Sequence, residues 1–80
     1  MAVRIVLLGR LADMAGTGEL EMPAPLEWAG LLAALPDDLA AEVSGERIRL
    51  ALDGQVLAAK EDLQAQDGSE VALLPPVSGG

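Results

Sequence analysis

Eighty residues make one small domain, and a chain this short buries only about 60 to 65% of its unfolded surface. Hydrophobic residues are 51% of it, yet there is one Trp and no Phe, Tyr, Cys or His, so the core must be built from Leu, Val, Ile and Ala, and the lack of Cys and His excludes disulfides, thiolate and imidazole metal sites, a cysteine nucleophile and every imidazole-based triad. Thirteen acidic against five basic residues, a formal charge of -8, argue against nucleic acid and anionic membranes; the same charge serves solubility and would steer the chain toward a basic partner.

Val3 to Leu8 reads as a first strand, with Val3, Ile5 and Leu7 on one face and Arg4, Val6 and Leu8 on the other. Arg4 and Gly9-Arg10 break this apolar opening, leaving it too short for a signal peptide or membrane span, so the chain is expected in the cytoplasm. Leu11 to Ala15 has room for one helical turn before the Gly16 stop, and Gly18 to Met22 alternates like a half-exposed second strand that Pro23 and Pro25 end. Trp28, Leu31, Leu32 and Leu35 form a helical stripe at i, i+3, i+4 and i+7, with Pro25 and Glu27 suited to the first turn. Pro36 closes that helix and opens a shorter one, with Asp37 and Asp38 at its positive end, Leu39 and Val43 inward, and Ser44-Gly45 as a stop.

Arg47 to Leu52 alternates, and Asp53-Gly54 is the dipeptide a tight hairpin prefers before Gln55-Val56-Leu57. Ala58 to Gln66 reads as an acidic connection with a turn of helix around Glu61-Asp62-Leu63, and Asp67-Gly68 as a turn before a final strand, Glu70 to Leu74. Two hairpins flanking a helix, with first and last strands free to pair, predict an α+β β-grasp: a mixed sheet of about four to five strands packed on one main helix. Both faces of the first and last strands are apolar. If Val3, Ile5, Leu7, Val71 and Leu73 point inward, then Val6, Leu8, Ala72 and Leu74 form a second apolar face for a partner; alternation alone leaves open which set the helix covers. Lys60 and Trp28 read as surface and core, without a role.

The chemistry-bearing segment is the last one. Pro75 and Pro76 have no N–H for a ladder and hold φ near about -65°, so pairing should stop at Leu74 and residues 75–80 should leave the 1–74 domain as a flexible, extended tail. Six extended residues reach about 20 Å, enough to enter a pocket on another protein. Gly79 and Gly80 carry no Cβ and fit a channel too narrow for a side chain. A terminal carboxylate at Gly80 becomes a good electrophile once an enzyme turns it into an acyl-adenylate that sulfur or an amine can attack.

Val71-Ala72-Leu73-Leu74-Pro75-Pro76-Val77-Ser78-Gly79-Gly80, after the turn Asp67-Gly68-Ser69-Glu70, resembles the close of the sulfur carrier (small) subunits of molybdopterin synthase, a ubiquitin-like family. The likeness spans the chain: the first strand with Arg10-Leu11-Ala12, the Leu31 to Leu35 helix and the Leu50 to Gly54 hairpin sit where that family has them. Asp53 stands where the family often has Asn, and Leu73-Leu74 where it has aromatics, which leaves a smaller partner contact.

The resemblance implies a non-catalytic sulfur carrier. A ubiquitin-activating-like adenylyltransferase would place a transient AMP ester on Gly80, a sulfur donor protein would convert it to a thiocarboxylate, and the tail, Pro75, Pro76, Val77, Ser78 and Gly79, would carry it into the large catalytic subunit. There the sulfur would help build the dithiolene of molybdopterin, in an assembly of two small and two large subunits. The cationic pocket and catalytic residues would belong to that partner, with no cofactor or metal held permanently here. A thiamin-pathway sulfur carrier, a protein modifier joined through Gly80 to lysines, and a plain interaction domain are the alternatives.

Overall fold

The computed structural model describes residues 2–75. Along the chain run β1 (Ala2–Leu7), α1 (Arg10–Ala15), β2 (Glu19–Pro23), β3 (Leu26–Glu27), α2 (Trp28–Ala34), α3 (Asp37–Val43), β4 (Arg49–Leu52), β5 (Gln55–Val56), a 3-10 turn (Lys60–Asp62), β6 (Gln64–Ala65) and β7 (Glu70–Leu74). Five strands form one mixed sheet in the order β2-β1-β7-β4-β5. The last strand in sequence is therefore the central strand in space. It runs parallel to β1, with Val6 opposite Ala72, and antiparallel to β4, with Leu50 opposite Leu73.

The local signals act where they stand. Gly16 ends α1 with φ 75, donating its N–H to the Ala12 and Asp13 carbonyls. Asp53 and Gly54 adopt φ 50 and 88, the paired positive values a two-residue hairpin needs, and join β4 to β5. The Asp53 carboxylate also reaches sideways: Oδ1 accepts the Glu70 N–H at 2.9 Å and Oδ2 accepts the Ser69 hydroxyl at 3.2 Å, which ties the hairpin to the start of β7.

One face of the sheet is covered. Val3, Ile5, Leu7, Met22, Leu50, Val71 and Leu73 pack under Leu31 and Leu35 of the α2 region, Leu39 and Val43 of α3, and Leu11 of α1, all buried. No polar or charged residue lies among the buried side chains described. Each fully buried Leu or Ile contributes about 1.5 to 3 kcal/mol, so aliphatic residues suffice for a core without aromatics.

Two expectations need correcting. Pro25 and Glu27 do not form the first helical turn: Leu26 and Glu27 are a short strand, antiparallel to Gln64 and Ala65, and α2 starts only at Trp28. The pairing buries Leu26 and Ala65, a tertiary gain that outweighs the preference of Pro25 for a helix start. The acidic connection accordingly holds β6 as well as its helical turn. The helical layer is divided at Pro36 as expected, into two seven-residue pieces, α2 and α3.

Lys60 is more than a surface lysine. Its ammonium donates to the Val43 carbonyl at 3.0 Å and to the Gly45 carbonyl, and lies 5.6 Å from the centre of the Trp28 ring. A cation there gives a charged donor to carbonyls at and just beyond the end of α3 and joins the 3-10 turn to both helices.

Candidate functional site

Every strand of the sheet has residues on the face away from the helices. A row of Cα partners crosses it, Glu19, Val6, Ala72, Ala51 and Val56, from one edge to the other. On one side of this row lie Glu21, Arg4 and Glu70, partners across β2, β1 and β7. On the other side β7 ends at Leu74, opposite Arg49, and β1 gives way to Leu8. Val6, Ala72 and Leu74 are half-buried, while Leu8 and Val56 are 43% and 59% exposed. The four residues expected to share this face, Val6, Leu8, Ala72 and Leu74, thus lie together beyond the sheet from the core. Alternation had missed Ala51 and Val56, which extend the same surface; the Asp53-Gly54 turn fixes their register.

Pairing stops at Leu74 as the proline rule requires, since Pro75 has no N–H to continue it. Because β7 is central, the chain leaves the sheet between two neighbours rather than at an edge. On the β1 side stands Gly9, with φ 53 and ψ -128, values that glycine alone adopts readily. A Cβ built at Gly9 would lie 3.5 Å from the Pro75 ring, so the glycine turns the chain from β1 toward α1 right beside the departing tail. Sequence reasoning had read Gly9 only as the end of a strand; its place beside Pro75 comes from the parallel pairing of β1 with β7.

Arg10 follows Gly9 and makes an exposed ion pair with Glu42 of α3 at 3.8 Å. It lines one shallow depression together with Arg47. Arg4, near the other end of the outer face, pairs with Glu19 at 3.6 Å. Of the tail residues assigned to chemistry and insertion, Pro75 is described; Pro76, Val77, Ser78, Gly79 and Gly80 lie outside the described residues. Among the described residues no group of three or more Asp and Glu could hold a metal, and no helix is long and apolar enough to cross a membrane.

A five-stranded mixed sheet with its last strand central, helices on one face and an apolar patch on the other defines a ubiquitin-like β-grasp protein, the class that includes sulfur carriers and small protein modifiers. The chain belongs to the ThiS family, whose pattern matches residues 5–80. It is similar to SAMP1 from Haloferax volcanii, with 26% identity over 100% of both chains and a TM-score of 0.73. The small archaeal modifier protein 1 of Methanosarcina acetivorans, also 26% identical, covers 99% of this chain and 96% of its own, with a TM-score of 0.74. Subunit 1 in the complex of subunits 1 and 2 of the molybdopterin-converting factor from Helicobacter pylori shares the fold, at 22% identity over 100% of both chains and a TM-score of 0.69. No curated protein matches the chain.

Proposed function

We propose that the chain is a sulfur carrier whose working group is the Gly80 carboxylate, and that it supplies sulfur for the dithiolene of molybdopterin. The observation that carries this reading is the position of β7: the final strand occupies the middle of the sheet and releases the chain at Leu74-Pro75, at the border of an apolar face that, among the described residues, no helix or strand covers. A partner seated on Val6, Leu8, Ala72 and Leu74 would hold the domain at the mouth of a channel, while residues 75–80 reach inward by up to about 20 Å.

The chemistry is done on this chain. The Gly80 carboxylate attacks the α-phosphorus of ATP in an activating enzyme, giving an acyl-adenylate and releasing pyrophosphate. A sulfur donor at the oxidation level of sulfide adds to the acyl carbon and AMP leaves, so one C–O bond is exchanged for C–S without redox change. Delivery of that sulfur in a large partner subunit ends with water attacking the acyl carbon as the C–S bond breaks, which returns Gly80 to a carboxylate and leaves the sulfur on the acceptor. A family likeness to subunit 1 of molybdopterin-converting factor, whose Helicobacter pylori complex holds subunit 2, supports a large subunit as the receiving partner. A protein of charge -8 is a poor host for an anionic pterin precursor, which supports the partner as the pterin-binding subunit in this reading.

The test is the intact mass of the chain after incubation with ATP, sulfide and its activating enzyme, beside the same chain lacking Gly80. The expected gain equals exchange of one oxygen for sulfur, absent in the shortened chain; no gain with an enzyme proven active on another carrier would overturn the reading. Feeding the product to the large synthase subunit and the pterin precursor should then yield a dithiolene, whereas transfer to a thiazole synthase instead would make it a thiamin-pathway carrier. The 26% identity to archaeal modifier proteins favours a second reading, attachment of Gly80 to target lysines. Lysine-linked adducts in cell extract, dependent on Gly80, would establish that one.

A further inference from the structure

The five basic residues are not spread evenly, and their placement bears on what meets the outer face. Lys60 is committed to the Val43 and Gly45 carbonyls on the helical side, and Arg4 pairs with Glu19 among the acidic residues Glu21 and Glu70, away from the tail. The other three stand around the root of the tail. Arg49 is opposite Leu74 on the last rung of β7, Arg10 follows the glycine that stands beside Pro75, and Arg47 shares with Arg10 a depression that Glu42 and Glu46 also line. Arg47 and Arg49 are exposed and make no ion pair among the described residues, while Arg10 keeps a single exposed contact with Glu42. A chain of charge -8 therefore gathers three of its five cations where its tail leaves, in excess over the two carboxylates Glu42 and Glu46 beside them, and presents an acidic border at the opposite end of the same face.

We infer that Arg10, Arg47 and Arg49 form a recognition collar for carboxylates, borne by the protein surface that surrounds the mouth of the channel receiving the tail. This rests on the reading of the chain as a carrier whose tail enters partner enzymes. Arginine suits the role, since its planar fork pairs with a carboxylate through two parallel hydrogen bonds. Its position suits it too. Exposed charges bordering an apolar patch form the rim of an interface, where they speed encounter and set orientation more than they add affinity. The arrangement is directional: a partner with carboxylates at its channel mouth is drawn to the tail end of the face and repelled from the end bearing Glu19, Glu21 and Glu70. Global charge points to a basic partner; the local charge at the tail requires an acidic border on it.

The experiment compares two double variants in the thiocarboxylation assay with ATP, sulfide and the activating enzyme. Arg47→Gln/Arg49→Gln removes two cations at the tail, and Gln55→Glu/Gln66→Glu adds two anions at exposed positions elsewhere, so each takes the formal charge from -8 to -10. The tail pair should raise the KM for the chain about tenfold at low salt with kcat unchanged, and should flatten the salt dependence of kcat/KM, while the other pair stays within about twofold of wild type. Equal effects of the two pairs, or a tail pair with wild-type KM and salt dependence, would overturn the collar while leaving the carrier reading intact. A wild-type chain that gains no sulfur would overturn both. Equal melting temperatures of the variants exclude misfolding as the cause of any change.

Discussion

The two faces of the sheet are built from the same kinds of residue and do opposite work. Ile5, Leu7, Leu50, Val71 and Leu73 lie under the helices with almost no exposure, while Val6, Ala72 and Leu74, neighbours in sequence of four of them, remain at the surface. Alternation along a strand places them on opposite sides, but only the helices decide which side becomes core. The difference teaches that this small domain obtains its stability from one face and keeps the other in reserve. An outer face that contributes little to folding is free to meet a partner without cost to the fold.

The sharpest separation of the two roles is at the tail. Removing Gly79 and Gly80 should abolish thiocarboxylation while leaving the urea midpoint unchanged; a shifted midpoint would show that the tail also serves the fold. The largest expected effect on stability comes from the inner face, where Leu50→Ala should cost about 2 to 5 kcal/mol in urea denaturation. At the helical side, Lys60→Met should cost about 1 to 2 kcal/mol, because the carbonyls of Val43 and Gly45 lose a charged donor and the Trp28 ring a cation. The smallest effect on stability belongs to the outer face. Leu8→Ser and Val56→Ser should each stay within about 0.5 kcal/mol of wild type. Leu8→Ser, beside the tail, should nonetheless weaken capture by the large partner subunit, measured by titration. Loss of stability as large as that of Leu50→Ala would erase the distinction between the faces.

Much of the fold was legible because its signals are local. Asp53-Gly54 needs no distant partner to make a hairpin, and Pro75 cannot donate to a ladder wherever it stands. The helical stripe of Trp28, Leu31, Leu32 and Leu35 likewise marked a helix packed on the sheet, with Leu31 and Leu35 fully inward. The two-residue strands β3 and β6 escaped because two residues have no period to detect; they exist only because Leu26 meets Ala65 across a separation of 39 positions.

By itself the sequence determined what its side chains cannot supply: without Cys or His there is no thiolate, imidazole or disulfide chemistry among its eighty residues, which is why we propose the Gly80 carboxylate as the working group. It also determined where each hairpin turns and where the last strand stops, since glycine and proline act through their own backbone. Only the tertiary structure decided which apolar face is left open, that Lys60 closes the end of α3, and that Arg10, Arg47 and Arg49 gather around the root of the tail. The physical reason is the same for all three. Each depends on which elements pack together across long stretches of chain, and a one-dimensional pattern of side chains is indifferent to that choice until a helix lies on one face of the sheet and not the other.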